Sequence, residues 1–159
     1  MSDLFSRPVV PVANEADAVE TCRAAFPRVA AVGGRPLVVH VVEKAGGAPD
    51  KASVEQRELL AEEAFDAVRE LAADFGVDVE TRVLYGTDVA AAIVDAAADA
   101  DASAIVFHPR GGWWLLDLLT GDVRDSLVTE SDRPVVVLPA VDETDGDDAD
   151  ATDEAGVDS

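Results

Sequence analysis

The strongest constraint on this chain is a repeated alternation of two kinds of segment. Five short runs of valine and other apolar residues alternate with longer segments in which apolar residues recur every three or four positions. This alternation is typical of β-α-β units that pack on a parallel sheet. It predicts one α/β domain, a single five-stranded parallel sheet with helices on both faces. The predicted strands cover residues 8–12, 36–42, 77–85, 103–107 and 134–138.

The first predicted helix follows strand one directly. Asn14 is a suitable N-cap, and Val19, Cys22 and Phe26 form the apolar stripe of the helix. Pro27 lies inside this pattern, and an interior proline costs about 3 kcal/mol or kinks a helix. We therefore expect a bend or a break at Pro27.

The other helices are predicted from the same period. The second covers residues 54–75 after a loop at 43–52, and Gly76 ends it. The third is rich in alanine and ends near residue 100, and the last covers residues 121–130. The apolar stripe predicted for the second helix consists of Leu60, Ala64, Ala67, Val68, Leu71 and Phe75.

Strands two and three differ in their pattern. Strand two is the continuous apolar run LVVHVV, as expected of a strand that is buried on both faces. Its His40 is interpreted as a hydrogen-bonded core histidine. In strand three, Val79, Thr81 and Val83 alternate with charged residues, so we expect one face to be more exposed, as at the edge of a sheet.

The domain organisation follows from where these patterns begin and end. Residues 7–140 are predicted to form the domain, with residues 1–6 as an N-terminal extension. Residues 141–159 hold nine acidic residues and no basic one, which is typical of a solvated, disordered tail. The tail lacks the spacing of a calcium-binding loop.

The charge excludes some partners. The chain has 33 acidic and 12 basic residues, a net charge of -21, which disfavours binding to nucleic acid or anionic lipid. Only Lys44 and Lys51 are lysines, and an acidic, arginine-containing surface suggests a salt-adapted protein, because concentrated salt screens its self-repulsion. No apolar run approaches the ~18 residues of a membrane span, and no secretion signal is evident, so a cytoplasmic protein is expected.

No catalytic or metal site is indicated. Cys22 is the single cysteine, which excludes an intrachain disulfide. The two histidines are far apart in sequence and lack the spacing of a zinc site. No nucleophile motif is present.

A ligand site is expected at the carboxyl ends of the strands, where the winding of an open parallel sheet reverses. If strand one lies beside strand four, this place lies between Ala13 and Asn14 on one side and residues 108–112 on the other. A helix that begins at Gly121 would direct free backbone N–H groups toward it, as in phosphate-binding folds.

Several motifs occur together along the chain: an opening VPV strand, the LVVHVV strand, a glycine after strand three, a glycine loop, and a closing RPVVVLP strand. With these motifs, the ordered part of the chain resembles the universal stress protein (UspA-like) family. The resemblance implies the strand order 3-2-1-4-5 and an ATP site after strand four. Gly111, nine residues and Gly121 reproduce part of the nucleotide motif of that family. The residues assigned to this degenerate ATP site are Pro11, Val12, Ala13, Val41, His108, Gly111, Gly121 and Asp122.

Three residues depart from the nucleotide-binding pattern. His108 replaces the first glycine of the loop, where close backbone approach is needed. Asp122 replaces a Ser or Thr, and a carboxylate repels phosphate. Ala13 replaces an Asp at the end of strand one. The departures favour weak or absent ATP binding, while an ATP binder or weak ATPase that uses Mg2+ with Gly111 and Gly121 is the alternative.

Two further segments suggest partners. Trp113 and Trp114 make the loop after strand four unusually apolar. They are interpreted as covering the vacant pocket, and the alternative is an exposed patch for a partner protein such as a transporter. The family resemblance also implies a homodimer formed through strand five, with Val135 and Val137 in the interface.

Overall fold

The structure is a computed structural model that describes residues 3–43, 51–108, 127 and 129–139. Its elements are β1 (Pro8–Pro11), α1 (Glu15–Ala31), β2 (Leu37–Glu43), α2 (Lys51–Phe75), β3 (Glu80–Gly86), α3 (Val89–Asp99), β4 (Ala104–Phe107) and β5 (Val135–Val137). The strands form one parallel sheet in the order β3-β2-β1-β4-β5. The predicted fold class and strand order are therefore confirmed.

Helices cover both faces of the sheet, because the strand side chains alternate between two cores. On one face, Val10 and other strand residues pack with Phe26 of α1 and Phe65 of α2. On the other face, Phe107 of β4 packs with Ile93 of α3. Leu127, Thr129 and Glu130 before β5 are helical, as predicted, and Leu127 belongs to the second core. The predicted start of that helix at Gly121 lies outside the described residues.

α1 differs from its prediction at Pro27. The helix runs without interruption from Glu15 to Ala31 and includes Pro27, so the expected break does not occur. Proline removes one intrahelical hydrogen bond, and the exposed side of a helix tolerates this loss best because water can bond the freed carbonyl. Pro27 is exposed, whereas Phe26 and Val29 beside it are fully buried. Packing on the buried side therefore keeps the helix continuous.

α2 differs from its prediction in where it starts and in which face it buries. It begins at Lys51, inside the predicted loop. The predicted stripe is shifted, because Leu60 is 50% exposed and Phe75 is 37% exposed. The buried stripe is formed by Ala61, Ala64, Phe65, Val68 and Ala72. Small alanines on this side let α2 lie close to α1, while Leu59 and Leu60 remain exposed.

α1, α2 and α3 are each followed by one residue in the left-handed region. Gly33 follows α1 with φ +63°, and Gly76 follows α2 with φ +68°, which confirms the predicted end at Gly76. This conformation costs glycine little, so glycine is the usual residue there. Asp101 adopts the same conformation after α3 with φ 53°.

The segment before β1 packs closely onto the sheet. Ser103 donates its hydroxyl to the Leu4 carbonyl at 2.7 Å, and Arg35 donates its N–H to the Ser6 carbonyl at 2.8 Å. Phe5 packs against the first core. Gly34 is needed for this approach, because a Cβ at Gly34 would collide with the Phe5 carbonyl.

β3 is an edge strand, as its alternating pattern predicts. It begins at Glu80, three residues later than predicted, and most of its residues are half-buried. Val79 and Val83 pack against the first core, while Leu84 packs against the second.

Candidate functional site

The carboxyl end of β1 lies between two histidines. β1 pairs with β2 on one side and with β4 on the other, each in a constant parallel alignment. Carried one residue beyond the strand, these alignments place Val12 level with His40 of β2 and with His108 after β4. The predicted site residues Val12 and His108 are thus brought to the same edge of the sheet, as expected if β1 lies beside β4.

His40 is buried and hydrogen-bonded, as its position in strand two predicts. Its side chain is 8% exposed, and its Nδ1 lies 3.1 Å from the Val12 carbonyl oxygen. A carbonyl only accepts hydrogen bonds, so Nδ1 must carry the proton. Burial lowers the pKa of His40 below its usual value, so the ring is held in the neutral Nδ1–H tautomer near neutral pH.

Asp17, in the first turn of α1, is a buried carboxylate at the same edge. It is 2% exposed, and its Oδ2 accepts a hydrogen bond from the Ala13 N–H at 2.6 Å. Its Oδ1 accepts a longer bond from the Thr21 hydroxyl at 3.3 Å. Burial raises the pKa of Asp17 to about 6, although its two hydrogen bonds oppose the shift.

Asp17 is not among the site residues that the sequence patterns indicate. The available signal is its spacing, since Asn14 followed three residues later by an acidic residue resembles a capping box. Asn14 accepts a hydrogen bond from the Asp17 N–H at 2.9 Å, which confirms the predicted N-cap. The start of α1 therefore satisfies the N–H groups of Ala13 and Asp17 with its own side chains.

His108 adds bulk where the nucleotide motif would have a glycine. It directly follows the last residue of β4 and is fully buried. Together with Asp17, Thr21 and His40, it makes up the buried polar side chains of the described residues. Three of the four belong to one group of contacts around the end of β1, and His108 lies level with that group.

A polar cavity of about 380 Å³ lies at the opposite edge of the sheet, where β1, β4 and β5 begin. Arg133 lies on it and donates to the Ala102 carbonyl at 2.9 Å and to the carboxylates of Asp132 at 2.6 Å and Asp101 at 3.3 Å. Arg133 is therefore paired with two acidic residues of the cavity lining. The lining consists of Ser6, Arg7, Asp101, Ala102, Ser103, Asp132, Arg133 and Pro134.

A second group of ion pairs lies at this edge. Arg7 donates to Glu80 at 2.9 Å, Arg82 approaches the same carboxylate at 3.5 Å, and Arg35 pairs with Asp78 at 3.1 Å. The hydrogen bond from Arg7 lowers the pKa of Glu80. These pairs join the segments before β1 and β2 to Asp78 and to the start of β3, so this edge links three neighbouring parts of the sheet.

Among residues 3–43, 51–108, 127 and 129–139, His, Cys, Asp and Glu side chains form no group of three or more that could hold a metal ion. The helices described there include none with the length and apolar character needed to cross a bilayer.

The sequence of the domain decides its family. The family model described as the universal stress protein family matches residues 5–139 of the chain. The chain belongs to the universal stress protein family. No curated protein matches it significantly.

Solved structures of universal stress proteins share the fold. The protein from Burkholderia pseudomallei is 23% identical, with a TM-score of 0.64 over 88% of this chain and 100% of that one. The protein from Archaeoglobus fulgidus in complex with dAMP is 22% identical, with a TM-score of 0.62 over 86% and 99%. A universal stress protein in complex with cAMP is 19% identical, with a TM-score of 0.56 over 84% and 98%.

In this universal stress protein, only some of the residues predicted for the ATP site lie in the part of the chain that the structure describes. Pro11, Val12 and Ala13 lie at the end of β1, and Val41 lies in β2. Their side chains are buried, Val12 in one core and Ala13 and Val41 in the other. Ligand contacts with them would therefore come from main-chain atoms. The predictions for Gly111, Gly121 and Asp122 of the ATP site, and for Trp113 and Trp114 of the loop, lie outside the described residues.

Proposed function

We propose that this chain is a regulatory module of the stress response that acts as a homodimer and binds ATP weakly or not at all. Membership of the universal stress protein family supports the regulatory role. The carboxyl edge of the sheet supports the weak binding, because its described polar groups bond one another instead of remaining available to a ligand.

The proposal of weak ATP binding rests on the end of β1, where the Val12–Ala13 peptide group is already hydrogen-bonded within the protein. Ala13 has a methyl group where nucleotide-binding members of the family resembled by the sequence have a carboxylate. Its N–H is already bonded to Asp17 at 2.6 Å. A nucleotide that approached this end would lose a polar anchor and would meet a buried negative charge, which opposes binding of a polyanion.

His108 supports the same proposal. A glycine at this position would allow close approach of a ligand to the backbone, whereas His108 is fully buried and occupies space within the protein. An ATP-bound form would require this side chain to move or the ligand to bind around it.

ATP binding with Mg2+ remains the second candidate function, and relatives favour it. Two universal stress proteins of the same fold have structures in complex with dAMP and cAMP. Adenine nucleotides are therefore the ligands to test first, and the residual Gly111 and Gly121 are the residues that would hold their phosphates.

Calorimetry with ATP and Mg2+ in molar salt tests the ATP proposal. We expect no heat of binding at ligand concentrations of about 100 μM, and an affinity of about 1 μM would contradict the proposal. The variant Ala13→Asp with His108→Gly and Asp122→Ser should acquire measurable binding. As the control, Glu15→Gln with Glu130→Gln changes exposed residues only and should behave like the original chain.

The dimer proposal rests on the outer strand β5. It forms one edge of the sheet, and Val137 is 51% exposed, with Val135 half-buried. Apolar edge strands tend to pair or to be covered, and two-fold pairing is the commonest symmetry of homo-oligomers. A second copy would cover these valines.

Light scattering after size exclusion tests the dimer. We expect twice the mass of one chain, and Val137→Lys should give a monomer because the charge would be buried in the interface. Leu59→Lys is the matched control, since Leu59 is an apolar residue of α2 that is 65% exposed, and it should remain dimeric. A monomer for the unchanged chain at all concentrations would contradict the dimer.

A further inference from the structure

One peptide group at the end of β1 is hydrogen-bonded on both sides by ionisable side chains. Its carbonyl, from Val12, lies 3.1 Å from Nδ1 of His40. Its N–H, from Ala13, donates to the Asp17 carboxylate at 2.6 Å. Both side chains are more than nine-tenths buried, so water competes weakly for either bond.

The two bonds depend differently on protons. An ionised Asp17 carboxylate accepts the bond from the Ala13 N–H more strongly than a protonated carboxyl would. His40 donates from Nδ1 in its neutral tautomer and also when protonated. Proton uptake therefore weakens the bond to Asp17 first and leaves the bond from His40 in place.

We propose that Asp17 and His40 form a proton-sensitive clamp on the Val12–Ala13 peptide, which holds the end of β1 while Asp17 is ionised and loosens when Asp17 binds a proton. The clamp goes beyond the proposed function, and it does not depend on whether a nucleotide binds. It makes the main chain at the ligand edge of the sheet responsive to pH.

Burial, together with the neighbouring charges, sets the pH range of this response. Burial raises the pKa of Asp17 to about 6, and the nearby Glu20 adds to the shift. Cys22 lies close by on α1, but burial raises the pKa of its thiol far beyond this range. On the side of His40, burial lowers the pKa and the positive charge of Arg57 adds to the effect. The other histidine, His108, is also a titratable group of this region, because it lies level with Val12.

The consequence concerns which backbone groups a ligand could meet. While Asp17 is ionised, the Ala13 N–H is bound within the protein and the carboxylate adds a negative charge beside it. After protonation the charge is gone and the N–H is held less tightly. A fall in pH would therefore reduce the electrostatic repulsion between this edge and an anion without any change of fold.

Nuclear magnetic resonance of the full chain in molar salt tests the clamp. The amide proton of Ala13 should change its chemical shift in one step between about pH 5 and about pH 7, with a midpoint near the Asp17 pKa of about 6. The Asp17 carboxyl carbon should follow the same curve. The His40 ring should show the Nδ1–H tautomer near neutral pH. An Ala13 amide that does not titrate in this range, or an Nε2–H tautomer, would overturn the proposal.

Asp17→Asn is the decisive variant, because asparagine retains an oxygen acceptor for the Ala13 N–H and cannot titrate. The Ala13 step should disappear in this variant, while exposed Glu15→Gln in the same turn should retain it. Persistence of the step in Asp17→Asn would refute the role of Asp17. If Asp17→Asn does not fold, the agreement of the carboxyl and amide curves in the original chain decides the question.

Discussion

The ends of the strands form an amino edge and a carboxyl edge of the sheet, and these two edges are held together by different electrostatic interactions. At the amino edge, ion pairs such as Arg35 with Asp78 lie at the surface, where their side chains are 55% and 81% exposed. At the carboxyl edge, Asp17 and His40 are buried and bond to the main chain. The amino edge therefore depends on ion pairs that remain in contact with water, whereas the carboxyl edge depends on ionisable groups that are satisfied by main-chain hydrogen bonds.

The two arrangements should respond to different conditions. Exposed ion pairs contribute about 0 to 1 kcal/mol and weaken as salt screens them. Buried groups are little affected by salt, but their protonation changes the stability, because their pKa values differ between the folded and unfolded states. We therefore expect the amino edge to be sensitive to salt and the carboxyl edge to pH.

The largest expected effect is at Asp17. Its pKa in the folded state, about 6, is above its ordinary value of 3.8, so the folded state holds the proton more tightly. The contribution of Asp17 to stability is therefore full below its ordinary pKa and is lost as the pH rises through about 6. The shift corresponds to about 3 kcal/mol.

Urea unfolding of the original chain and Asp17→Asn at several pH values measures this effect. The free energy of unfolding of the original chain should fall relative to that of Asp17→Asn as the pH rises from about 4 to about 7. His40, whose pKa is lowered, acts in the opposite direction in both proteins and cancels in the comparison. Parallel curves for the two proteins would contradict the buried, pH-sensitive edge.

A smaller effect is expected at Asn14. Asn14→Ala removes the N-cap bond to the Asp17 N–H, and the loss should destabilise the protein by about 1 kcal/mol. The bond involves no exposed ion pair, so the loss should be the same in dilute buffer and in molar salt. Chemical unfolding in both conditions measures it, with Asp88→Ala, the N-cap of α3, as a matched control. If the loss of stability caused by Asn14→Ala disappeared in molar salt, the expected difference between the two edges would be contradicted.

The smallest effect is expected at Glu80 on the amino edge. Glu80→Gln removes the charge that pairs with Arg7, Arg35 and Arg82, and it should cost at most about 1 kcal/mol in dilute buffer. Molar salt should abolish the difference. Because the pKa of Glu80 is lowered, its contribution is present above its ordinary pKa and is lost as the pH falls. Thermal unfolding at two salt concentrations distinguishes the outcomes, and a cost that grows with salt would contradict the prediction.

The sheet could be predicted from the sequence because each strand has its own local signal. Asn14, Gly76 and the buried His40 were predictable for the same reason, since capping, helix ends and a histidine within an apolar run are local features. The strand order required the family resemblance in addition, because pairing between distant strands leaves no local pattern.

The remaining differences arise from packing between elements. The sequence of α2 allows two apolar stripes, and the close approach to α1 selects the one with Phe65 inside and Leu60 outside. Pro27 is tolerated because it faces solvent, which the sequence of α1 alone does not settle. Asp17 looks like any acidic residue in a first helical turn until the fold buries it against Ala13. Burial of a single polar group depends on the whole arrangement around it.

The close packing of residues 3–6 has a practical consequence for protein engineering. Leu4, Phe5 and Ser6 are joined to Ser103, Gly34 and Arg35, which lie far away along the chain. A shortened version that started at β1 would lose these links and uncover part of the first core. Affinity tags and truncations are therefore best placed ahead of residue 3, with a flexible spacer between the tag and the domain.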